Sequence, residues 1–386
     1  MRSSYQEKDV IFLLKDITGL LEPQSTRERE KAIQAGRHYC EMLPIEYVPT
    51  QKYMEVYREA LAHYARPTAR AVGALADQIM KEKGEHTVLV SLARAGTPIG
   101  ILLKRYLEKK YGRNVPHYSI SIIRGRGIDD NAMKFLLERY RPMDLLFVDG
   151  WIGKGAILGE LKKAAAAYPG VSSDLAVLAD PANVTELCGT HEDILIPSSC
   201  LNCTVSGLVS RTVLRPDIIG ENDFHGAVYY GGLKEADLSY DFIHAIEAEF
   251  EFWTENGEAA AAEPGSGKKA GKTAVTEPDS GKKAGETAAV KPGSQAESGN
   301  PGLAEVKGIA GKFGISDINL IKPGIGETTR VLLRRVPWKV LLRQDCKEEK
   351  SLAHILRLAE EKSVPVEYYP LQNYKCCGII KQLADA

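Results

Sequence analysis

The stretch LLFVDGWIGKGAIL, residues 145–158, decides the fold class. It starts as an apolar strand, reaches a single acid at Asp149, and turns through glycines and Lys154 into an amphipathic helix. HTVLVSLA (86–93) and DLAVLAD (174–180) are further apolar strands, and the first of them also runs into a helix-like segment. Strands that are apolar on both faces and alternate with helices are typical of a parallel sheet covered on both sides. We therefore expect an α/β fold, with a parallel sheet flanked by helices, over residues 1–254.

Composition limits the classes of protein and partner. The 386 residues are 44% hydrophobic and carry a formal net charge of −1, so no global charge favours nucleic acid or a membrane. No apolar run approaches the roughly 20 residues that cross a bilayer. Seven cysteines, an odd number in a chain without a secretory signal, indicate reduced thiols. We expect a cytoplasmic protein with no membrane partner, and a homodimer stays an open alternative.

A low-complexity segment interrupts the chain at residues 255–312. It consists mainly of Gly, Ala, Pro, Ser, Lys and Glu, and EPGSGKKAGKTA (263–274) recurs as EPDSGKKAGETA (277–288). Such a composition buries too little apolar surface to offset its ordering entropy. The sequence therefore predicts a disordered linker between the first domain and a C-terminal domain at 313–386.

Two strand-to-helix turns of the first domain are the expected binding loops. Ligands of parallel α/β sheets lie beyond the carboxyl ends of the strands, and helix N-termini attract anions. Two anion sites beside Asp149 suggest a doubly phosphorylated sugar with a magnesium ion held by that carboxylate. A Walker A loop does not match, because no glycine stands five residues before Gly153. Ordinary turns without a ligand remain the alternative.

The turn at 145–157 resembles the phosphoribosyl diphosphate loop of type I phosphoribosyltransferases, and SLARAGTP (91–98) is similar to their pyrophosphate loop. The resemblance implies a transferase that binds phosphoribosyl diphosphate with Mg²⁺ and an unidentified small-molecule acceptor. Arg124 and Arg126, in the loop 122–133, would form a mobile lid over the leaving pyrophosphate. Gly150 stands where that family has a second acid. The implied ligand contacts are Ser91, Arg94, Ala95, Gly96, Thr97, Asp149, Gly150, Gly153, Lys154, Gly155 and Ala156.

A cysteine and histidine stretch begins at residue 188 and allows several interpretations. The spacings C-x-x-H (188–191) and C-x-x-C (200–203) suit a zinc site. Cys200 with His225 suits a nucleophile and its base. Cysteines and histidines at these positions could also be ordinary packing residues, with neither a metal nor a catalytic role.

PSSCLNCTVSGLVSRT (197–212) and NDFHGAVYYGGLKEADLS (222–239) resemble a bacterial family of StiP cysteine proteases, linked to tellurite-resistance and stress operons. That resemblance implies Cys200 as nucleophile and His225 as base. We expect a phosphoribosyltransferase that makes a nucleoside-like metabolite, because two loops at sheet ends explain more residues than one Cys/His pair. A cysteine protease is the first alternative, and a non-catalytic nucleotide sensor that brings RNA to a complex is the second.

The C-terminal segment reads as a small α/β sandwich with basic residues around a glycine-rich turn at 324–330. A helix N-terminus with basic side chains can contact a phosphate backbone. The turn resembles the G-x-N-E-x-T-K turn of the Pelota and L7Ae-like RNA-binding domains, although Gly326 stands where their Asn is expected. A protein-docking role is the alternative. The implied RNA contacts are Lys322, Gly324, Gly326, Glu327, Thr329 and Arg330.

Overall fold

The computed structural model describes residues 1–252 and 300–382. Met1–Glu251 and Asn300–Ala386 form one compact unit, within which we call 1–252 the N-terminal region and 300–382 the C-terminal region. Residues 255–299, which are most of the predicted linker, lie outside the described residues, as do residues 253 and 254. No helix in the described part of the chain is long and apolar enough to span a membrane.

The N-terminal region contains a six-stranded sheet in the order β1-β4-β3-β7-β8-β9, and every neighbouring pair is parallel. Helices cover the sheet, as predicted. The elements are β1 (Ile11–Phe12), β2 (Lys15–Asp16), α1 (Thr26–Gln34), α2 (Gln51–Lys83), β3 (Val88–Leu92), α3 (Gly96–Tyr111), β4 (His117–Ile120), β5 (Ile122–Ile123), β6 (Gly127–Ile128), α4 (Asp130–Leu137), β7 (Leu145–Trp151), α5 (Ala156–Ala165), β8 (Leu175–Ala179), β9 (Cys188–Thr190), β10 (Gly226–Ala227) and α6 (Ser239–Glu247).

The central strands form because their residues have no polar face to leave in water. All of β3 and β8 is buried, as are the first four residues of β7. Val90, Phe147 and Val177 are fully buried in one core cluster. Burial on both faces requires a layer of helices on each side of the sheet. The strand pattern therefore dictates the layered α/β fold.

The C-terminal region is a four-stranded sheet in the order β11-β14-β12-β13, with helices packed on it. This arrangement confirms the predicted small α/β sandwich. Its elements are α7 (Pro301–Phe313), β11 (Ile321–Pro323), α8 (Ile325–Arg334), β12 (Pro337–Leu342), α9 (Ala353–Glu361), β13 (Val366–Tyr368) and β14 (Cys376–Ile380).

Helix α7 occupies residues that the sequence assigned to the disordered linker. The side chain of Asn300 caps it by accepting from the Leu303 backbone N–H at 2.8 Å. Val306 and Ile309 are fully buried in the core of the C-terminal sheet. Apolar residues three apart along a Gly- and Ala-rich segment are enough for one buried helix face. The C-terminal region therefore begins near residue 300 and not at 313.

Buried and partly buried hydrogen bonds join the two regions. The Asp193 carboxylate accepts from the backbone N–H groups of Ile325 and Lys375, each at 2.9 Å. The Tyr374 hydroxyl donates to the carbonyl of Gly153 at 2.5 Å, and Tyr53 donates to the carbonyl of Leu333 at 2.5 Å. These bonds place the C-terminal region over the end of β7.

Candidate functional site

The two predicted loops lie side by side, because β3 and β7 are neighbours and Ser91 pairs with Val148. Ala95 and Asp149 line the same cavities. Gly96 is required by this contact, since a Cβ there would lie 2.3 Å from the carbonyl oxygen of Val148. The sequence correctly predicts that the loops meet at one edge of the sheet.

Most polar groups of the first loop serve the core. The Ser91 hydroxyl donates to the carbonyl of Gly96 at 3.0 Å and lies 2.7 Å from Nε2 of His117. The Thr97 hydroxyl lies 2.8 Å from that of Ser119. All of these hydroxyls are buried, so they do not face a ligand. Arg94 is the polar side chain of this loop that lies at the cavity wall.

The second loop is covered by the C-terminal region. The Lys154 ammonium donates to the carbonyls of Ile318 at 2.7 Å and Ile321 at 3.1 Å. Burial lowers the pKa of Lys154 to about 8 and raises the pKa of Asp149 to about 7. Gly155 precedes α5 with φ +78°, and Ala156 is its first residue. The lysine predicted to hold a phosphate therefore has carbonyl partners in the other region.

Asp149 does not sit in a cluster of metal ligands. One of its carboxylate oxygens accepts from the adjacent Gly150 N–H at 2.8 Å. Within the described ranges, no group of three His, Cys, Asp or Glu side chains is placed to hold a metal ion. Cys188, His191, Cys200 and Cys203 accordingly form no four-ligand zinc set. The geometry gives no support to the zinc interpretation, and magnesium binding at Asp149 stays a prediction.

The loop with Arg124 and Arg126 is held in place. The Glu160 carboxylate accepts from the backbone N–H groups of Gly125 at 2.7 Å and Gly127 at 3.1 Å. Arg124 donates to the side chain of Asn319 at 3.0 Å, and Arg126 pairs with a glutamate at 3.5 Å. Both arginines therefore bind protein groups.

The turn predicted to bind RNA faces inward. Gly324 and Gly326 lie against Asp193 and Ser199 of the N-terminal region. Thr329 is fully buried, and its hydroxyl donates to the carbonyl of Ile325 at 2.8 Å. The polar side chains of this turn line a cavity of about 260 Å³ together with Asp149 and Lys154; they are Lys322, Glu327 and Arg330. The structure thus joins residues that the sequence assigned to two separate sites.

A larger cleft of about 850 Å³ adjoins this cavity, and we call it the arginine cleft. Among its described lining residues, two carry a carboxylate, Glu46 and Asp149. Burial, with neighbouring guanidinium groups second, lowers the pKa of both Arg211 and Arg334 to about 10. Its positively charged lining residues are Arg29, Arg94, Arg211, Arg330, Arg334 and Arg335. Like charges at this density favour an anionic occupant.

The structure does not bring Cys200 and His225 together. Cys200 is fully buried, and burial raises its pKa to about 12. His225 Nδ1 lies 2.9 Å from the hydroxyl of Ser121, and the His225 backbone N–H donates to Asp129 at 2.5 Å. Among the hydrogen bonds of the described residues, none joins this thiol to this imidazole. The predicted nucleophile and base are therefore not a pair.

Two other thiol–imidazole pairs do form. Nδ1 of His38 lies 2.9 Å from Sγ of Cys40, and its Nε2 lies 3.1 Å from the carbonyl oxygen of Arg124. Sγ of Cys188 lies 3.4 Å from Nε2 of His191, whose Nδ1 lies 3.0 Å from the Asp180 carbonyl oxygen. The first pair is visible in the sequence only as the spacing H-x-C, which by itself carries no chemical signal. The second was considered only as part of a zinc site.

Comparison with known proteins identifies both regions. Residues 3–247 match the family model described as "Tellurite-like stress resistance cysteine protease StiP", and residues 300–382 match the "PELOTA RNA binding domain". A protein of Acinetobacter baylyi named "Cysteine protease StiP" is 34% identical over 400 residues, which cover 98% of this chain and 94% of the relative.

Solved structures give a weaker likeness. Two crystal structures of a hypoxanthine-guanine phosphoribosyltransferase from Bacillus anthracis match with 17% identity and a TM-score of 0.24. They cover 38% and 40% of this chain, and 81% and 85% of their own chains. This likeness supports no conclusion about activity. The prediction of a phosphoribosyltransferase is wrong, because the family model and the curated relative both name a cysteine protease. The comparisons therefore give no support to its predicted partners, phosphoribosyl diphosphate and a small-molecule acceptor.

Proposed function

The chain belongs to the StiP family of tellurite-like stress resistance cysteine proteases, and from this premise we propose that it is a thiol peptidase. In this proposal Cys40 is the nucleophile and His38 is the general base. The observation that carries the assignment is the 2.9 Å distance between Cys40 Sγ and His38 Nδ1. A nucleophile within hydrogen-bond reach of a base that a third group orients is the arrangement that nucleophilic catalysis requires.

The third group is the carbonyl of Arg124, which fixes the tautomer of His38. A carbonyl oxygen only accepts, so the hydrogen bond at 3.1 Å requires a proton on Nε2 of His38. Nδ1 is then unprotonated in the neutral ring and faces the Cys40 thiol. The imidazole is therefore set to take the thiol proton.

The position of this pair beside the arginine cleft also supports the proposal. Tyr39 lies between the two residues in sequence and lines the cleft. Cys188 is the first residue of β9 and lies in the hydrophobic core cluster. A peptide in the arginine cleft thus contacts the residue that adjoins both His38 and Cys40 in sequence.

The reaction follows from these positions. His38 Nδ1 accepts the Cys40 proton while Sγ attacks the carbonyl carbon of the scissile peptide bond. The C–N bond breaks as the imidazolium returns its proton to the leaving amine, which leaves a thioester on Cys40. Water then attacks the thioester with His38 as base, and the thiol regains its proton. Because Cys40 is fully buried, this proposal requires the segment around it to open locally when a substrate binds.

Matched variants of the full-length chain test the assignment. We expect Cys40→Ser to abolish hydrolysis of fluorescein-labelled casein, and His38→Asn to lower the rate by about 10²- to 10⁴-fold. Cys188→Ser and Cys200→Ser are the matched controls and should keep the wild-type rate. Thermal melts check that every variant is folded. Full activity in Cys40→Ser, or loss of activity in Cys188→Ser alone, contradicts the proposal.

RNA binding by the C-terminal region is a separate proposal, supported by the match of residues 300–382 to the PELOTA model. We expect a gel shift with structured RNA that weakens as salt rises and when Lys322 and Arg330 are both changed to Ala. Cys40→Ser serves as the control and should bind RNA like wild type. A shift that responds to neither change rules out RNA contacts by this turn.

A further inference from the structure

The lining of the arginine cleft contains more arginines than carboxylates. Among the described residues that line it, six arginines face two carboxylates, Glu46 and Asp149, and no lysine is present. Arg94 pairs with Glu46 at 3.1 Å, and Arg330 pairs with Glu327 at 3.2 Å. The whole chain has a net charge of −1, so this excess is local. Clefts lined by one sign of charge concentrate ligands of the opposite sign.

Two of these guanidinium groups have unsatisfied donors. The Nε atoms of Arg29 and Arg334 are buried and have no hydrogen-bond partner. Buried donors in folded proteins are almost always paired, and an unpaired one on a charged group is especially unfavourable. A bound anion supplies the missing acceptors. This observation points to a ligand independently of the charge count.

The shape of the arginine cleft favours a peptide over a polynucleotide. Its volume of about 850 Å³ lies within the range of ligand-binding pockets. Several apolar lining residues are exposed, by 37% at Ile45, 60% at Val48 and 51% at Val336. An RNA backbone carries a phosphate at every nucleotide and gains little from such a lining, whereas a peptide can place apolar side chains against it. Arginine forks also match the two oxygens of a carboxylate.

We infer that the arginine cleft selects peptide substrates with aspartate or glutamate close to the scissile bond. This inference rests on the proposed peptidase function. Arg211 lies over the ring of Tyr39, with 4.9 Å from its guanidinium carbon to the ring centroid. Since Tyr39 separates His38 from Cys40 in sequence, Arg211 is the arginine of the cleft that contacts the residue between the proposed base and nucleophile. The acidic side chain of the substrate binds at Arg211 and Arg334.

The test separates binding from catalysis. Full-length Cys40→Ser is titrated with a fluorescein-labelled peptide that carries two glutamates between apolar residues, and with its twin in which both are glutamine. We expect the acidic peptide to bind at least about 10-fold more tightly, with the preference falling as salt rises. Arg211→Gln should remove most of the preference. Arg211→Lys should keep part of it, and exposed Arg139→Gln should leave it unchanged.

Each result has a defined meaning. Equal binding of the two peptides, or an unchanged preference in folded Arg211→Gln, overturns the inference. The inference is also overturned if single-stranded RNA or inorganic tripolyphosphate displaces the labelled acidic peptide at a lower concentration than the unlabelled acidic peptide does. If the preference is present in binding but wild-type chain cleaves neither peptide, the arginine cleft assignment stands and the peptidase proposal fails. If the wild-type chain cleaves both peptides at the same rate, the peptidase proposal stands and the arginine cleft assignment fails.

Discussion

Asp193→Asn should loosen the contact between the two regions by a predictable amount. The carboxylate of Asp193 is buried and accepts from two backbone N–H groups, those of Ile325 and Lys375, through different oxygens. An asparagine has one carbonyl oxygen and an NH₂ group, so it can accept from only one of the two. The other N–H becomes a buried donor without a partner, which destabilises the contact by about 1–3 kcal/mol.

Hydrogen exchange followed by mass spectrometry measures this effect. A change of about 1–3 kcal/mol corresponds to exchange that is roughly 5- to 150-fold faster in peptides that contain Ile325 or Lys375. Asp217→Asn is the control, since Asp217 pairs with Arg215 on the surface and its loss should change stability by less than about 1 kcal/mol. Exchange within twofold of wild type at both peptides would refute the reasoning.

The same carboxyl gives a pH dependence. Burial raises the pKa of Asp193 to about 6, above its ordinary value of roughly 3.9. Between these two values the native state binds the proton more tightly than the unfolded chain. Stability contributed by this group is therefore present at low pH and is lost as pH rises from about 4 to 6. Asp193→Asn should flatten this part of a stability profile measured by urea unfolding, and Asp217→Asn should not.

Three further experiments, one labelling measurement and two substitutions, have definite expected outcomes. Burial raises the pKa of the Cys40 thiol. The rate at which iodoacetamide labels Cys40 should therefore still increase with pH above about 8.5, the ordinary pKa of a cysteine. A labelling rate that reaches a plateau near about pH 8.5 contradicts this expectation. Gly96→Ala should destabilise the chain by about 1–3 kcal/mol in urea unfolding, since its Cβ would overlap the Val148 carbonyl, and an unchanged midpoint contradicts that packing. Burial lowers the pKa of His117 to about 4, so its contribution to stability should be lost as pH falls from about 6.5 to 4. His117→Asn should reduce that loss, and an acid transition identical to that of wild type would show that His117 does not cause it.

Strand-and-helix periodicity was sufficient to predict the parallel sheet and the meeting of its two loops. Both depend on residues close in sequence, such as the apolar run 145–148 and the turn after it. Helix α7 was missed because glycines and alanines hide the two buried residues, Val306 and Ile309, that stabilise it. Composition of a segment is a poor guide when two side chains decide its packing.

The candidate site was less predictable, because its contacts join distant residues. His38 is oriented by the carbonyl of Arg124, 86 positions away, and no local pattern encodes that bond. The turn at 324–330 reads as an exposed RNA-binding loop until Asp193 is seen to accept from Ile325 N–H. The loops at the sheet edge suggested a transferase because glycine-rich turns suit phosphates. The same glycines also let another part of the chain pack closely.

The contacts between the N-terminal and C-terminal regions have a practical consequence. Tyr53, Tyr374 and Asp193 all bond across the boundary without any help from the peptide that connects residues 252 and 300. A chain that a protease has cut between residues 252 and 300 should therefore elute as one particle on gel filtration. Two separately expressed polypeptides, 1–252 and 300–386, should likewise assemble into a stoichiometric complex, so the gene can be split without separating its products.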